Sequence, residues 1–302
     1  VAYFDGAVWL GATDDGTYPY FGDNQLLRLD PADGSIDQRI AVATGAVAGV
    51  VDGTLWVVSG NAPETLDPAT GTLGRGGLEP DGSIPSTWSL AKAAGRLFGR
   101  NSWSLFELDP ETGAMLGEAT LPLDSSGNEP EVFPVPIAGE GDVLYLATTD
   151  RSSPVIAAYD VAAGAYRWVE PVERGAVGLA IADGLLWVLV GRPYQRQLLF
   201  AFDLATGEQK VDAALPQGTS LIEDGHLSLR AAADGTLWVL SAADGIVFRI
   251  DTAAGQAVEQ FHFSRRPTEF VVTDDAVVGI SQYEDRVMVV PRDAFVAVPV
   301  AS

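Results

Sequence analysis

Val177-Gly178-Leu179-Ala180-Ile181-Ala182-Asp183-Gly184-Leu185-Leu186-Trp187-Val188-Leu189-Val190 reads as two apolar strands joined by an Asp-Gly turn. Short runs of β-branched and large apolar residues broken by Asp-Gly favour a tight hairpin. After a polar loop comes a third run, Leu198-Leu199-Phe200-Ala201-Phe202. It is closed by Asp203-Leu204-Ala205-Thr206-Gly207, a second turn of the form Asp-x-x-Thr-Gly.

The chain repeats this unit. The Asp-Gly half recurs at Asp5-Gly6-Ala7-Val8-Trp9, Asp52-Gly53-Thr54-Leu55-Trp56 and Asp234-Gly235-Thr236-Leu237-Trp238, with weaker copies ending at Phe98, Tyr145 and Val278. The second turn recurs from Asp30, Asp67, Asp109, Asp160 and Asp251, and decays to Pro291-Arg292-Asp293. Aligned on Trp9, Trp56, Phe98, Tyr145, Trp187, Trp238 and Val278, the copies are 40 to 51 residues apart.

A period in the forties with about four short strands per unit predicts a β-propeller, since one small twisted sheet buries its two faces only by stacking on neighbours around an axis. The fold expected is all-β: a seven-bladed propeller of four-stranded antiparallel blades in a single domain, 1–302. Blades are expected at about 1–43, 44–80, 81–125, 126–172, 173–215, 216–264 and 265–302. The repeated aromatics are expected to wedge between blades. The chain begins in an inner strand and ends in an outer one, so closure would rest on face packing between the first and last blades unless further residues precede Val1.

Composition narrows the function. The 302 residues carry a formal net charge of −23, with 41 acidic residues against 18 Lys and Arg. Such a field repels phosphate backbones, so no nucleic-acid partner is expected. No apolar run is long enough to cross a bilayer. There is no cysteine, hence no disulfide or thiolate chemistry. A first residue Val1 suggests removal of a signal or an anchoring segment, and with it an extracellular, periplasmic or cell-surface location.

The few cations fall in a pattern. In a propeller, loops joining second to third strands share a face with those joining blade to blade, and long loops on a rigid ring are where function concentrates. Arg100, Arg151, Arg192, Arg196, Arg265 and Arg266 map to that face, with Trp103, Tyr194 and Tyr283. These nine residues are the candidate ligand-binding set, because Arg offers bidentate hydrogen bonds and stacks on rings. The plainer reading is that each Arg pairs locally with one of the many carboxylates.

Catalytic chemistry has little support. Val47, Ser89, Pro136, Gly178, Leu229 and Glu269 hold the equivalent inner-strand position and are expected to line the channel, with only Ser89 and Glu269 polar. His226 and His262, the two histidines, lie near opposite ends of the sixth unit. An enzyme would have to work with Glu269 and His226. No cofactor is expected: each Asp-x-x-Thr-Gly is explained by turn chemistry, and the calcium alternative in the Asp14–Asp23 loop lacks alternating carboxylate spacing.

The units Leu-Asp-Pro-x-Thr-Gly and Asp-Gly-x-Leu-Trp-Val resemble bacterial quinoprotein-like and YVTN-type propellers, a class that includes streptogramin lyases and lactonase-like proteins. The resemblance spans the chain and is architectural. It implies the fold; the calcium-ligand and tryptophan-docking features of the quinone enzymes are not found, nor is a histidine pair like that of the lyases. The expectation is therefore a non-catalytic, exported binding module or scaffold that presents its loop face to a protein partner or an anionic or planar ligand. A lyase or lactonase at the channel mouth is the alternative.

Overall fold

The structure is a computed structural model that describes residues 1–13, 24–42, 46–59, 62–74, 89–100, 105–119, 136–147, 154–173, 175–191, 198–213, 215–216, 229–281 and 286–298. Seven antiparallel sheets follow one another along the chain, and the first strands of successive sheets neighbour one another around an axis. It is a seven-bladed β-propeller.

Blade 5 is the reference: Ala176–Ala182, Leu185–Val190, Leu198–Asp203 and Gln209–Ala213, paired in that order from the axis outward. Its first turn places Asp183 at φ 50° and Gly184 at φ 70°, the two left-handed residues of a type I′ hairpin, whose twist matches that of the strands. Asp5-Gly6, Asp52-Gly53 and Ala94-Gly95 do the same. In the second turn the Asp203 carboxylate accepts the N–H groups of Ala205 and Thr206 at 3.0 and 2.9 Å, and Gly207 N–H bonds the Asp203 carbonyl at 2.9 Å. One strand position before the turn aspartate the ladder carries a β-bulge in blades 1, 3, 4, 5 and 6.

Among the described residues the apolar core divides into seven clusters, one per blade interface. Trp9 packs against Leu55 and Val57 of blade 2, Trp56 against Leu97 and Leu108 of blade 3, and Phe98 against Leu144 and Leu146 of blade 4. Tyr145, Trp187 and Trp238 continue the series into blades 5, 6 and 7. All six are at most 3% exposed. A buried indole removes ~150–250 Å² from water, an upper bound of roughly 4–6 kcal/mol of transfer free energy per wedge. At the seventh interface Val278 takes the aromatic position and packs with Val8, Leu27 and Leu29 of blade 1.

Closure departs from the repeat. Among the described residues blade 7 has three strands, Glu269–Val272, Ala276–Ser281 and Arg286–Pro291, and blade 6 has five. After a 3-10 turn, Arg292–Ala294, the chain crosses back and Val296–Ala297 pairs with Gln260 and Glu259 on the outer edge of blade 6. The expected fourth strand of blade 7 is thus laid on its neighbour. The cause is local: Pro291-Arg292-Asp293 lacks the turn glycine that elsewhere returns the chain to its own sheet. Phe295 is instead held edge-on by Trp238, with centroids 5.1 Å apart at 80°. Blade 7 meets blade 1 face to face, with Tyr3 Oη donating to Asp274 at 3.1 Å. Among the described residues no helix is long and apolar enough to cross a membrane.

Candidate binding face

In a four-stranded antiparallel blade, the connection from second to third strand and the connection to the next blade emerge at the same end. In blade 6 these are the Ala242–Gly245 turn and the Phe263–Thr268 crossing. Gly245, at φ 70°, donates to the Ser241 carbonyl at 2.9 Å, and its own carbonyl accepts Phe263 N–H at 2.8 Å, so turn and crossing are tied together. Between them opens a cleft of about 410 Å³, lined by Asp244, Ile246, His262, Ser264, Arg265 and Arg266 among others.

The chemistry of the cleft is mixed in sign. Ser241 Oγ donates to Asp244 Oδ2 at 2.6 Å, which fixes the carboxylate at the turn. His262, at the end of the outer strand, is exposed, as are Ser264, Arg265 and Arg266. Arg266 makes no ion pair among the described residues. Arg286, at the loop end of the third strand of blade 7, is likewise exposed and unpaired among them. By contrast Arg28, Arg96, Arg167, Arg249 and Arg292, on strands and on the opposite face, each hold a carboxylate. Arg266 and Arg286 thus differ from those five arginines in holding no carboxylate among the described residues.

Of the nine candidates read from sequence, Arg265 and Arg266 are brought together in the cleft. Arg100 ends the second strand of blade 3 on the same face, but its side chain is only 4% exposed and so is withdrawn from the surface. Trp103, Arg151, Arg192, Tyr194, Arg196 and Tyr283 lie outside the described residues, as do His226 and the Asp14–Asp23 loop. Glu269 is on the inner strand of blade 7, where its Oε2 is 2.9 Å from the backbone nitrogen of Val1. The proposed channel lining needs correction: Pro136 and Gly178 are buried, and Leu229, 2% exposed, packs into the interface with blade 5. Inner-strand side chains alternate between the two flanking blades, so their ends, not one whole row, reach the axis.

Sequence reasoning passed over Asp244, His262 and Ser264 as site residues, and Arg286 altogether. The signal for Arg286 was present: it is the first residue after the blade 7 loop, on the face already singled out.

On the opposite face several turn carboxylates are engaged within their own turns. The carboxyls of Asp109 and Asp160 are held below the usual value chiefly by backbone N–H donors of their own turns; in Asp67 the Thr70 hydroxyl leads, and in Asp203 the Thr206 N–H. Burial would raise Asp234, but hydrogen bonds from the Thr236 hydroxyl and N–H and from Arg292 overcome it and hold the carboxyl at about 2. These oxygens are already engaged within the fold. Among the described residues no group of three or more His, Asp or Glu side chains is placed to hold a metal ion.

The family model described as outer membrane protein assembly factor BamB matches residues 4–211. No curated protein matches the chain by sequence. Among solved structures, BamB from Moraxella catarrhalis superposes with a TM-score of 0.56 at 16% identity, covering 96% of this chain and 83% of that one. Virginiamycin B lyase from Staphylococcus aureus gives 0.62 at 15% identity over 93% and 97% of the two chains. Hydrazine synthase of Kuenenia stuttgartiensis gives 0.63 at 13% over 88% and 89%. At these identities the structures share the fold, and the likeness carries no activity.

Proposed function

The chain belongs to the family described as outer membrane protein assembly factor BamB, and from that premise we propose that it is a non-catalytic, exported binding propeller, an accessory subunit that docks a protein partner on its loop face. The contact is centred on the cleft of blade 6 and on Arg265 and Arg266. The partner presents an acidic segment there.

The observation that carries this reading is the contrast among the arginines. Five are neutralised by neighbouring carboxylates, while Arg266 stands exposed and without an ion pair among the described residues, at the rim of a cleft on the loop face. In a protein of net charge −23, an unneutralised Arg on one face gives local complementarity to an acidic surface that the bulk of the molecule repels, which favours one docking orientation over others. Fixed on a rigid ring, such a site costs little ordering entropy on binding. A location outside the cytoplasm, in the periplasm or at the cell surface, accords with the family's description.

A photo-crosslinking residue at Ser264 tests the reading against one at Asp183, on the opposite face. The expected result is a discrete adduct from position 264 that disappears in the Arg265→Ala/Arg266→Ala background, and none from position 183. Adducts of equal yield from both faces, unaffected by the arginine substitutions, would remove the proposal.

A further inference from the structure

Among the described residues, Arg230 is a charged group on an inner strand whose side chain the interface packing leaves with little to bind. It sits in the middle of the inner strand of blade 6, Leu229–Ala231, opposite Trp238, and so faces blade 7. Its Nε donates a single long hydrogen bond, 3.5 Å, to the carbonyl of Phe270 on the inner strand of blade 7. Among the described residues the guanidinium makes no other hydrogen bond and no ion pair. A guanidinium carries five N–H donors, and a charge removed from bulk water is costly unless those donors are used. Burial pulls the Arg230 pKa down, and the charge of Glu269 pulls it up.

Arg230 is half-buried. A residue in the middle of an innermost strand, walled by blades on both sides, meets solvent through the axial channel. Glu269 lies one residue before Phe270, and its carboxylate is occupied by the Val1 nitrogen at 2.9 Å. The inner wall between blades 6 and 1 thus presents unused guanidinium donors beside a carboxylate that is already satisfied.

We propose that Arg230 anchors an anion site in the axial channel, selective for a singly charged carboxylate. The fork of donors matches the two oxygens of a carboxylate. Selectivity against dianions comes from Glu269, whose charge repels a second negative charge at close range and in a partly desolvated setting. The site is separate from the loop-face cleft and does not depend on what docks there.

The test uses the whole protein, with the Arg Nε–Hε resonances followed by ¹⁵N NMR during titration with sodium acetate and, separately, sodium sulfate at matched ionic strength. The Arg230 resonance is identified by its absence in Arg230→Gln. Saturable shifts with acetate, with a Kd on the order of millimolar, and at least about tenfold weaker response to sulfate are expected. Glu269→Gln, which keeps a carbonyl acceptor for the Val1 nitrogen, should bring sulfate binding up to the level of acetate. An N-acetylated dialanine separates the two sources of such a group: binding tighter than acetate assigns the site to a peptide C-terminus, and weaker binding assigns it to a small free acid. A non-saturating response of the Arg230 resonance in the parent protein, or saturable acetate shifts at other arginine resonances that persist unchanged in normally folded Arg230→Gln, would overturn the proposal.

Discussion

Gly207, in the second turn of blade 5, lies against the indole of Trp168 on the outer strand of blade 4: a Cβ placed there would stand 2.7 Å from Trp168 Cδ2. Gly113 on the carbonyl of Pro63 and Gly255 on Val211 repeat the relationship across other interfaces. The turn glycine therefore serves twice, as a residue of positive φ and as a gap into which the preceding blade fits.

Gly207→Ala should consequently cost more than Gly184→Ala. Both have φ near +70°, which costs an L-residue about 1–2 kcal/mol. Only Gly207 adds a clash, worth about another 1–3 kcal/mol. Chemical denaturation of the two variants should separate their midpoints in that order; equal losses would show that the contact with Trp168 is soft.

The opposite change should help at Ala94, which stands where the hairpins of blades 1, 2 and 5 have aspartate and carries φ 52°. Ala94→Gly relieves the left-handed strain and should stabilise the protein by about 0.5–1 kcal/mol. A lower denaturation midpoint in this variant would contradict that reading.

Arg292 joins the last blade to the sixth. Its Nη2 donates to Asp234 Oδ2 at 2.7 Å, and its guanidinium stands 5.3 Å from the centroid of Trp238. The ion pair is partly solvent-exposed and contributes modestly by itself, so Arg292→Ala should cost about 1 kcal/mol, chiefly through the ring contact. Phe295→Ala, which removes an aromatic partner of both Trp238 and Phe261, should cost more, about 2–3 kcal/mol. Thermal unfolding orders the two; the reverse order would mean that charge, not ring packing, holds the C-terminal strand to blade 6.

Acid should act through the turn aspartates. Asp67, Asp109, Asp160, Asp203 and Asp234 have folded pKa values below those of the unfolded chain, so the unfolded state binds more protons as pH falls. Their contribution is fully present above the unfolded value of 3.8 and is lost as pH drops through the folded values, about 2 for Asp234. Urea midpoints measured between pH 5 and pH 2 should fall steeply below about 4, and less steeply in Asp203→Asn. A flat profile would contradict the turn hydrogen bonds.

Trp9, Trp56, Trp187 and Trp238 made the architecture legible, because a large flat side chain at one strand position every forty-odd residues has few uses other than wedging sheets together. The path of residues 292–298 was not legible. A missing turn glycine says that the repeat ends, but the choice between two sheet edges is made by the tertiary contacts of Phe295 with Trp238 and Phe261. At the site, Arg265 and Arg266 could be placed on the loop face by topology alone. Arg230 could not, because counting back from the Asp-Gly turn stopped at Leu229, one residue away, and in a strand a shift of one reverses the face. Asp244 and His262 join the cleft through chain connections that no local pattern announces.

The direct measure of the docking role is the affinity of the partner recovered by crosslinking at position 264 for Arg265→Glu/Arg266→Glu, compared with the parent at low and physiological salt. Loss of at least about tenfold, roughly 1.4 kcal/mol, with an unchanged unfolding temperature and a shallower salt dependence, is the predicted result. Affinity equal to that of the parent at both salt concentrations would contradict a loop face that recognises its partner through these arginines.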